Sequence, residues 1–183
     1  MNLTLEQTND FIKKAAFIAC NSTCGYKVGC CGVINAPDFF DKSALKNPNI
    51  KIKNGLLYIK TWNETLAGEK YCQGKDENDC KICVRVKENL KGKEFEKVCS
   101  IHAEQNLIAT CAKFQIPTNG MHLFLTNSPC YICAKSIIKS GISNVYYLAE
   151  HTDTSGLDIL KTNNILFKKI SLFDTNNLDY ILA

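Results

Sequence analysis

Two short motifs, each placed at the start of a helical pattern, constrain this chain more than any other feature of its sequence. The first is "HAE", from His102 to Glu104, and the second is "PCYIC", from Pro129 to Cys133. His102 and Cys130 each follow a strand or a loop and begin a helix. Helices that follow neighbouring parallel strands start at the same edge of a sheet, so the two motifs are expected to meet there.

The residues of the two motifs have the chemistry of a metal site. His102, Cys130 and Cys133 would supply one nitrogen and two sulfur ligands, a set that suits Zn²⁺. The two cysteines are at i and i+3, so they point the same way from a first helical turn. Three protein ligands leave a fourth position for water, which is typical of catalytic zinc. Glu104 can move a proton from that water to a leaving amine, which is the machinery of hydrolytic deamination.

Each motif alone has an ordinary explanation. A CxxC pair in a cytosolic protein can be a redox pair, and a single His-x-Glu carries almost no information. A redox pair has no need of a His-x-Glu on a separate helix, however. The combination is the signature of the zinc-dependent nucleobase deaminases, and it therefore predicts catalytic zinc.

The remaining pattern predicts an α/β fold. A helix with Thr4 as its N-cap comes first, and strands follow in "YKVGCCGVI" and, after a turn at Asn54 and Gly55, in "LLYIKTW". Helices and strands alternate after the HAE motif, and the helix of the second motif is predicted to run from Ser128 as N-cap to Gly141 as C-cap. This order favours a sheet that is mostly parallel in its later part.

Two segments interrupt the alternation within what we treat as a single domain, residues 1–183. Residues 35–53 are rich in Pro, Asn and Lys and are predicted to form an inserted surface loop. Residues 63–100 are polar, contain several cysteines and lack a clear period. A segment of that length without a core of its own needs something to hold it.

Composition excludes several classes of partner. The formal net charge is only +4 and the lysines form no stripe, so no nucleic acid is expected as a partner. No run approaches the roughly 20 apolar residues of a membrane span, and the first residues lack a signal-peptide pattern. We expect a cytoplasmic protein. There the 11 cysteines are better explained by metal binding or burial than by disulfides.

The sequence also resembles the deoxycytidylate (dCMP) deaminase branch of the cytidine deaminase superfamily, from Leu5 to Ile170. The resembling segments are "NSTCGYKVG", "IHAEQNLIATCAKFQIPTNG" and "SPCYICAKSIIKSGISNVYY". The resemblance implies a three-layer αβα domain with a five-stranded mixed sheet. It implies zinc at the His-Cys-Cys set, Glu104 as proton shuttle, and conversion of dCMP to dUMP and ammonia. It further implies a homo-oligomer, either a dimer or a hexamer.

Substrate contacts are also implied by the resemblance. Asn63 matches the family's substrate-contacting asparagine, although by itself it is equally a turn residue. His151 stands where the family usually has a tyrosine facing the base, and backbone groups around Ala103 and Ser128 are expected to recognise the cytosine ring. A monophosphate needs a cation or a helix N-terminus, and Lys27 is the candidate, with an exposed surface lysine as the alternative.

The family pattern is not matched everywhere. Trp62 and Glu64 flank Asn63 in place of the usual Tyr and Gly, and Glu64 would repel a phosphate. The alternative substrate is therefore another free cytosine nucleoside or nucleotide. The alternative from another class is a noncatalytic zinc-binding module, against which Glu104 argues.

A second zinc is predicted in the cysteine-rich segment. Four thiolates make a closed, structural site, and "CKIC" has the two-residue gap of such sites. Many dCMP deaminases resemble this arrangement. The proposed ligands are Cys24, Cys72, Cys80 and Cys83, with Cys99 in reserve. The alternative is that some of these cysteines are free thiols.

Overall fold

The computed structural model describes residues 1–66, 74–75, 81–82 and 100–171. The α-helices of these residues are α1 (Leu5–Ala19), α2 (Ala103–Lys113), α3 (Tyr131–Lys139) and α4 (Ser155–Thr162). The strands are β1 (Gly29–Asn35), β2 (Ile50–Lys53), β3 (Leu56–Trp62), β4 (Glu64–Thr65), β5 (Gly74–Lys75), β6 (Lys81–Ile82), β7 (Ser100–Ile101), β8 (His122–Asn127), β9 (Asn144–Ala149) and β10 (Leu166–Lys169).

A six-stranded mixed sheet forms the middle layer, in the order β10-β9-β8-β1-β3-β2. Strands β8, β9 and β10 are parallel, whereas β1 is antiparallel to both β8 and β3, and β2 is antiparallel to β3. The predicted α/β fold with a mixed sheet is confirmed, with six strands in place of the expected five.

The two faces of the sheet are covered by different helices, which produces the three layers. Side chains alternate along β8, so Phe124 points to one face while Leu123 and Leu125 point to the other. Helix α1 covers the first face, where the rings of Phe11 and Phe124 lie 5.6 Å apart. Helices α2, α3 and α4 cover the second face, which holds the larger cluster of buried side chains, including Leu107.

Helix α1 begins where its sequence predicts. Thr4 is the N-cap, and its hydroxyl accepts a hydrogen bond of 3.1 Å from the backbone N–H of Gln7. The side chain of Gln7 accepts one of 2.9 Å from the backbone N–H of Thr4 in return. This reciprocal capping box satisfies two donors that the first helical turn leaves without partners.

The segment predicted as a surface loop is part of the sheet and the core, so that prediction is wrong. Within residues 35–53 lie a 3₁₀ helix (Lys42–Lys46) and strand β2, which joins β3 through the predicted turn. Asn54 and Gly55 both have positive φ, 52° and 73°, as a tight hairpin turn requires. Phe40, Ala44 and Ile50 are buried, and the polar residues between them concealed this anchoring in the sequence.

Helix α3 begins later than predicted. Its N-cap is Cys130 rather than Ser128, because the hydroxyl of Ser128 accepts a hydrogen bond of 2.7 Å from the backbone N–H of His151 instead. The end of the helix agrees with the prediction in its essentials. Ser140 is the C-cap, and Gly141 follows it in the left-handed conformation, with φ of 74°.

Most of the cysteine-rich segment lies outside the described residues, including Cys72, Cys80, Cys83 and Cys99. At its two ends, β4 pairs antiparallel with β7, which brings Glu64 opposite Ile101. Cys24, the remaining predicted ligand of a second zinc, is buried. None of the helices in the described ranges is long and apolar enough to cross a membrane.

Candidate active site

The two sequence motifs begin helices in the same way. His102 is the N-cap of α2 and Cys130 is the N-cap of α3, and both have extended backbone conformations, with ψ of 151° and 167°. An N-cap residue is only half inside its helix, so its side chain projects from the helix end and not from the helix side. Both side chains therefore project from the beginnings of neighbouring helices.

The side chains of the two motifs meet. Nδ1 of His102 lies 3.3 Å from Sγ of Cys133 and 3.6 Å from Sγ of Cys130. The three ligand atoms all lie within 4.8 Å of one another, and both cysteines are buried. A tetrahedral zinc ion with ordinary bond lengths holds a nitrogen and a sulfur ligand about 3.6 Å apart. The spacing and the donor types therefore fit zinc.

Glu104 points to the same place as His102. Residues two apart in a regular helix lie on nearly opposite sides, but His102 is extended and the helix begins only at Ala103. The carboxyl group of Glu104 is buried and interacts with the side chains of His102 and Cys133. Burial raises the pKa of this carboxyl group above its ordinary value, although the charge of His102 opposes the rise. A carboxyl group with a raised pKa is suited to both accepting and donating a proton near neutrality.

The side chains of Cys130 and Cys133 affect each other's pKa. A hydrogen bond between them lowers the pKa of Cys130 to about 4 and raises the pKa of Cys133 far above its ordinary value. Both sulfurs must be thiolates to bind a metal ion. Metal binding at this site would therefore displace the proton that Cys133 retains.

Asn63 stabilises the loop before β1. Its Oδ1 accepts a hydrogen bond of 2.8 Å from the backbone N–H of Val28, and its Nδ2 donates one of 2.7 Å to the carbonyl oxygen of Tyr26. The side chain is buried. An amide has two N–H groups, of which the contact with Tyr26 uses one. Lys27 is exposed in the loop that Asn63 holds.

Of the other residues predicted to contact substrate, Ser128 follows β8, His151 follows β9 and Ala103 begins α2. Ala103 and Ser128 are buried, whereas His151 is half-buried. The backbone N–H of Ser128 donates a hydrogen bond of 2.8 Å to the carbonyl oxygen of Ala149. Together with the bond from His151 to the Ser128 hydroxyl, this contact fixes the chain just before Cys130.

Three residues that support the site were not predicted. Thr61 donates a hydrogen bond of 2.8 Å from its hydroxyl to the carbonyl oxygen of Ala103. Asn106 donates from Nδ2 to the carbonyl oxygen of Trp62 at 3.0 Å and to Oε2 of Glu64 at 3.3 Å. The bonds from Thr61 to Ala103 and from Asn106 to Trp62 join the end of β3 to the start of α2, and the bond from Asn106 to Glu64 joins β4 to it.

Gly156 is the third of these residues. A side chain at Gly156 would collide with the carbonyl group of Pro129, so glycine lets α4 pack directly against the segment that carries Cys130. Of these three residues, only Thr61 could have been found from the sequence. It lies on the same face of β3 as the buried Leu57 and Ile59, where a polar residue is unusual.

Comparison with known proteins shows the family to which the chain belongs. Residues 5–149 match the family model described as the cytidine and deoxycytidylate deaminase zinc-binding region. The chain therefore belongs to the cytidine and deoxycytidylate deaminase family and is an enzyme of that family. The His-Cys-Cys cluster lies within the matched residues.

Individual relatives are consistent with the family. The structure is similar to a dCMP deaminase from the cyanophage S-TIM5 in complex with dCMP and dUMP, with a TM-score of 0.64 and 26% identity, covering 92% of this chain and 100% of that chain. The ComE operon protein 2 of Bacillus subtilis is 48% identical over 52 residues, which are 28% of this chain and 28% of that protein. A diaminohydroxyphosphoribosylaminopyrimidine deaminase of Thermotoga maritima shares the fold, with a TM-score of 0.51 and 16% identity, covering 88% of this chain and 36% of that chain.

Proposed function

We propose that this chain is a zinc-dependent dCMP deaminase, which converts dCMP and water to dUMP and ammonia. The observation that carries the proposal is the convergence of His102, Cys130 and Cys133 beside the buried carboxyl group of Glu104. The similarity of the fold over 92% of the chain to a dCMP deaminase supports the choice of substrate.

His102, Cys130 and Cys133 would hold the zinc ion through one nitrogen and two sulfur atoms. When bound there, zinc supplies Lewis acidity that activates water at neutral pH. The N-terminal ends of α2 and α3 add positive potential, which favours the thiolate form of the two cysteines.

Glu104 moves the proton. Its carboxylate takes a proton from the attacking water as the oxygen of that water bonds to C4 of cytosine. The N3=C4 double bond opens in this step, and Glu104 delivers that proton to N3. Glu104 then takes the second proton from the hydroxyl group on C4 and gives it to the exocyclic amino group, so that the C4–N4 bond breaks, C4=O forms and ammonia leaves. The product carries the oxygen at C4, so dCMP becomes dUMP. Burial of Glu104 keeps this proton transfer away from bulk solvent.

The residues around the metal site would hold the nucleotide. Backbone groups near Ala103 and Ser128 would recognise the cytosine ring, with His151 stacking near the base. The Asn63 side chain would bind the sugar side of the substrate through its second N–H. Lys27, exposed in the loop that Asn63 holds, would bind the phosphate.

A second candidate substrate is a cytosine nucleoside without a phosphate. Glu64 favours it, because it directly follows Asn63 in the chain and its carboxylate accepts a hydrogen bond from Asn106. A fixed negative charge there would weaken binding of a phosphate group and would suit the hydroxyl groups of a free sugar.

Parallel rate measurements on dCMP, deoxycytidine, dCTP and CMP test the proposal. Ammonia release from zinc-loaded protein should be fastest with dCMP and should be strongly reduced in Glu104→Gln. A faster rate with deoxycytidine than with dCMP would show that the substrate is the nucleoside and not the nucleotide. Absence of turnover with all four compounds would overturn the proposed cytosine deaminase function.

A further inference from the structure

Thr61 makes a buried contact that connects the sheet to the start of α2. It lies on β3 directly opposite Cys30 of β1, and only 5% of its surface is exposed. Its hydroxyl donates a hydrogen bond of 2.8 Å to the carbonyl oxygen of Ala103, 42 positions further along the chain. Together with the bond from Asn106 to the carbonyl oxygen of Trp62, this contact joins the end of β3 to the start of α2.

Ala103 lies between the metal-binding residue His102 and the catalytic candidate Glu104. It follows the extended His102 and is the first residue of the helix that continues through Glu104. The direction of the Ala103 peptide therefore sets the angle between the metal-binding imidazole and the buried carboxyl group. A small rotation of that peptide would move the two side chains relative to one another.

The bond from Thr61 is additional to those that the helix needs. A carbonyl group in the first turn accepts from the N–H group four residues later, and it has a second lone pair. The fully buried Cys30 lies directly opposite Thr61 on the neighbouring strand β1. The hydrogen bond to Ala103 holds the hydroxyl group of Thr61 in one orientation.

We propose that Thr61 is a positioning residue for deamination: by fixing the carbonyl group of Ala103, it keeps His102 and Glu104 directed at the same point. The inference rests on the proposed function. Its ordinary alternative is that the hydroxyl of Thr61 merely finds a partner because it is buried, in which case Ala103 needs no such restraint.

Three variants separate these explanations. Thr61→Val keeps the shape and removes the donor, and Thr61→Ser keeps the donor and loses a methyl group. Thr118→Val is the matched control, because the hydroxyl of Thr118 donates 2.6 Å to the carbonyl oxygen of Ser140, at the C-terminal end of α3 and away from the site. Thr61→Ala replaces Thr61→Val if the valine variant does not fold.

For each variant we would measure kcat and KM with dCMP, the zinc content, the thermal midpoint and the visible absorption of the Co²⁺-substituted protein. Thr61→Val should bind zinc and lose about ten- to hundredfold in kcat with little change in KM, as expected for a small misplacement of catalytic groups. Thr61→Ser should recover most of that loss. Thr118→Val should lose stability without losing kcat.

Equal kcat values for Thr61→Val and Thr118→Val would overturn the inference, as would failure of serine to recover the loss. The cobalt spectrum separates this inference from the proposed function. If wild type deaminates none of the cytosine compounds, a spectrum altered in Thr61→Val and unaltered in Thr118→Val still supports positioning of His102. An unaltered spectrum in both variants of such an inactive protein would overturn the inference as well.

Discussion

Nδ1 of His102 lies 3.3 Å from Sγ of Cys133, although 31 positions separate the two residues along the chain. The contact exists because α2 and α3 both begin at the same edge of the sheet. It brings together two motifs, neither of which alone indicates a zinc site.

Glu104→Gln should leave the fold and the zinc intact and should lower kcat by about 10²–10⁴-fold, because an amide cannot carry the proton. Steady-state rates with dCMP and zinc analysis check this outcome. Glu6→Gln, at the exposed first turn of α1, is the control and should keep full activity. A Glu104→Gln enzyme with near wild-type turnover would refute the assigned proton shuttle.

The purified protein should contain two zinc ions per chain. Replacing both Cys80 and Cys83 by serine should remove one of them and should lower the thermal midpoint more than it lowers occupancy of the His102 site. Metal analysis of the isolated protein measures this directly. Cys20→Ser, a change at an exposed cysteine, should retain both ions. A single zinc in wild type that disappears in His102→Ala would exclude the second site.

Lys27→Ala should raise KM for dCMP about ten- to hundredfold, the usual effect of losing a hydrogen bond to a charged group. The rate with deoxycytidine, which has no phosphate, should scarcely change. Lys168→Ala removes another exposed lysine and should affect neither substrate. Equal losses with both substrates would mean that Lys27 supports the loop instead of binding phosphate.

His122 should make the fold sensitive to mild acid. It is buried at the start of β8, near the ring of Tyr146, and its Nδ1 has no hydrogen-bond partner among the described residues. Burial, with a smaller contribution from the N-terminal amino group, lowers its pKa below the ordinary value of 6.5. The unfolded chain therefore binds the proton more readily than the folded chain. The contribution of neutral His122 to the free energy of unfolding should be fully present above pH 6.5 and should be lost as the pH falls below it.

The measurement is the thermal midpoint at several pH values between pH 7.5 and about 5, in wild type and in His122→Leu, since an unperturbed histidine titrates in this range. The leucine variant should lose less stability over that range than wild type does. Loss of zinc at low pH affects both proteins alike, so the difference between them isolates His122. Parallel curves would show that His122 does not titrate on unfolding.

Local patterns allowed much of the fold to be predicted. Thr4 and the helix after it, the turn at Asn54 and Gly55, and the alternation after His102 all follow from rules that involve neighbouring residues. The start of α3 was misjudged because Ser128 has a partner in His151, 23 positions away, which no local rule can supply.

The chemistry of the site was more predictable than its support. Residue types and spacings alone were enough to predict zinc-dependent deamination from His102, Glu104, Cys130 and Cys133. Thr61, Asn106 and Gly156 act by contacting distant backbone. Asn106 and Gly156 look like ordinary helix residues in the sequence, and Thr61 differs from its strand neighbours only in being polar at a buried position. Their contribution depends on which segments lie side by side, and that is decided by the packing of the whole sheet.

Strand β2 also limits how wide the sheet can become. It is the outermost strand beside β3, and its sequence is "IKIK", with Lys51 and Lys53 exposed. Another strand docking there would have to strip water from two ammonium groups, which is a common natural defence against edge-to-edge aggregation. The polar composition that concealed β2 in the sequence is thus also a barrier to further growth of the sheet from this side.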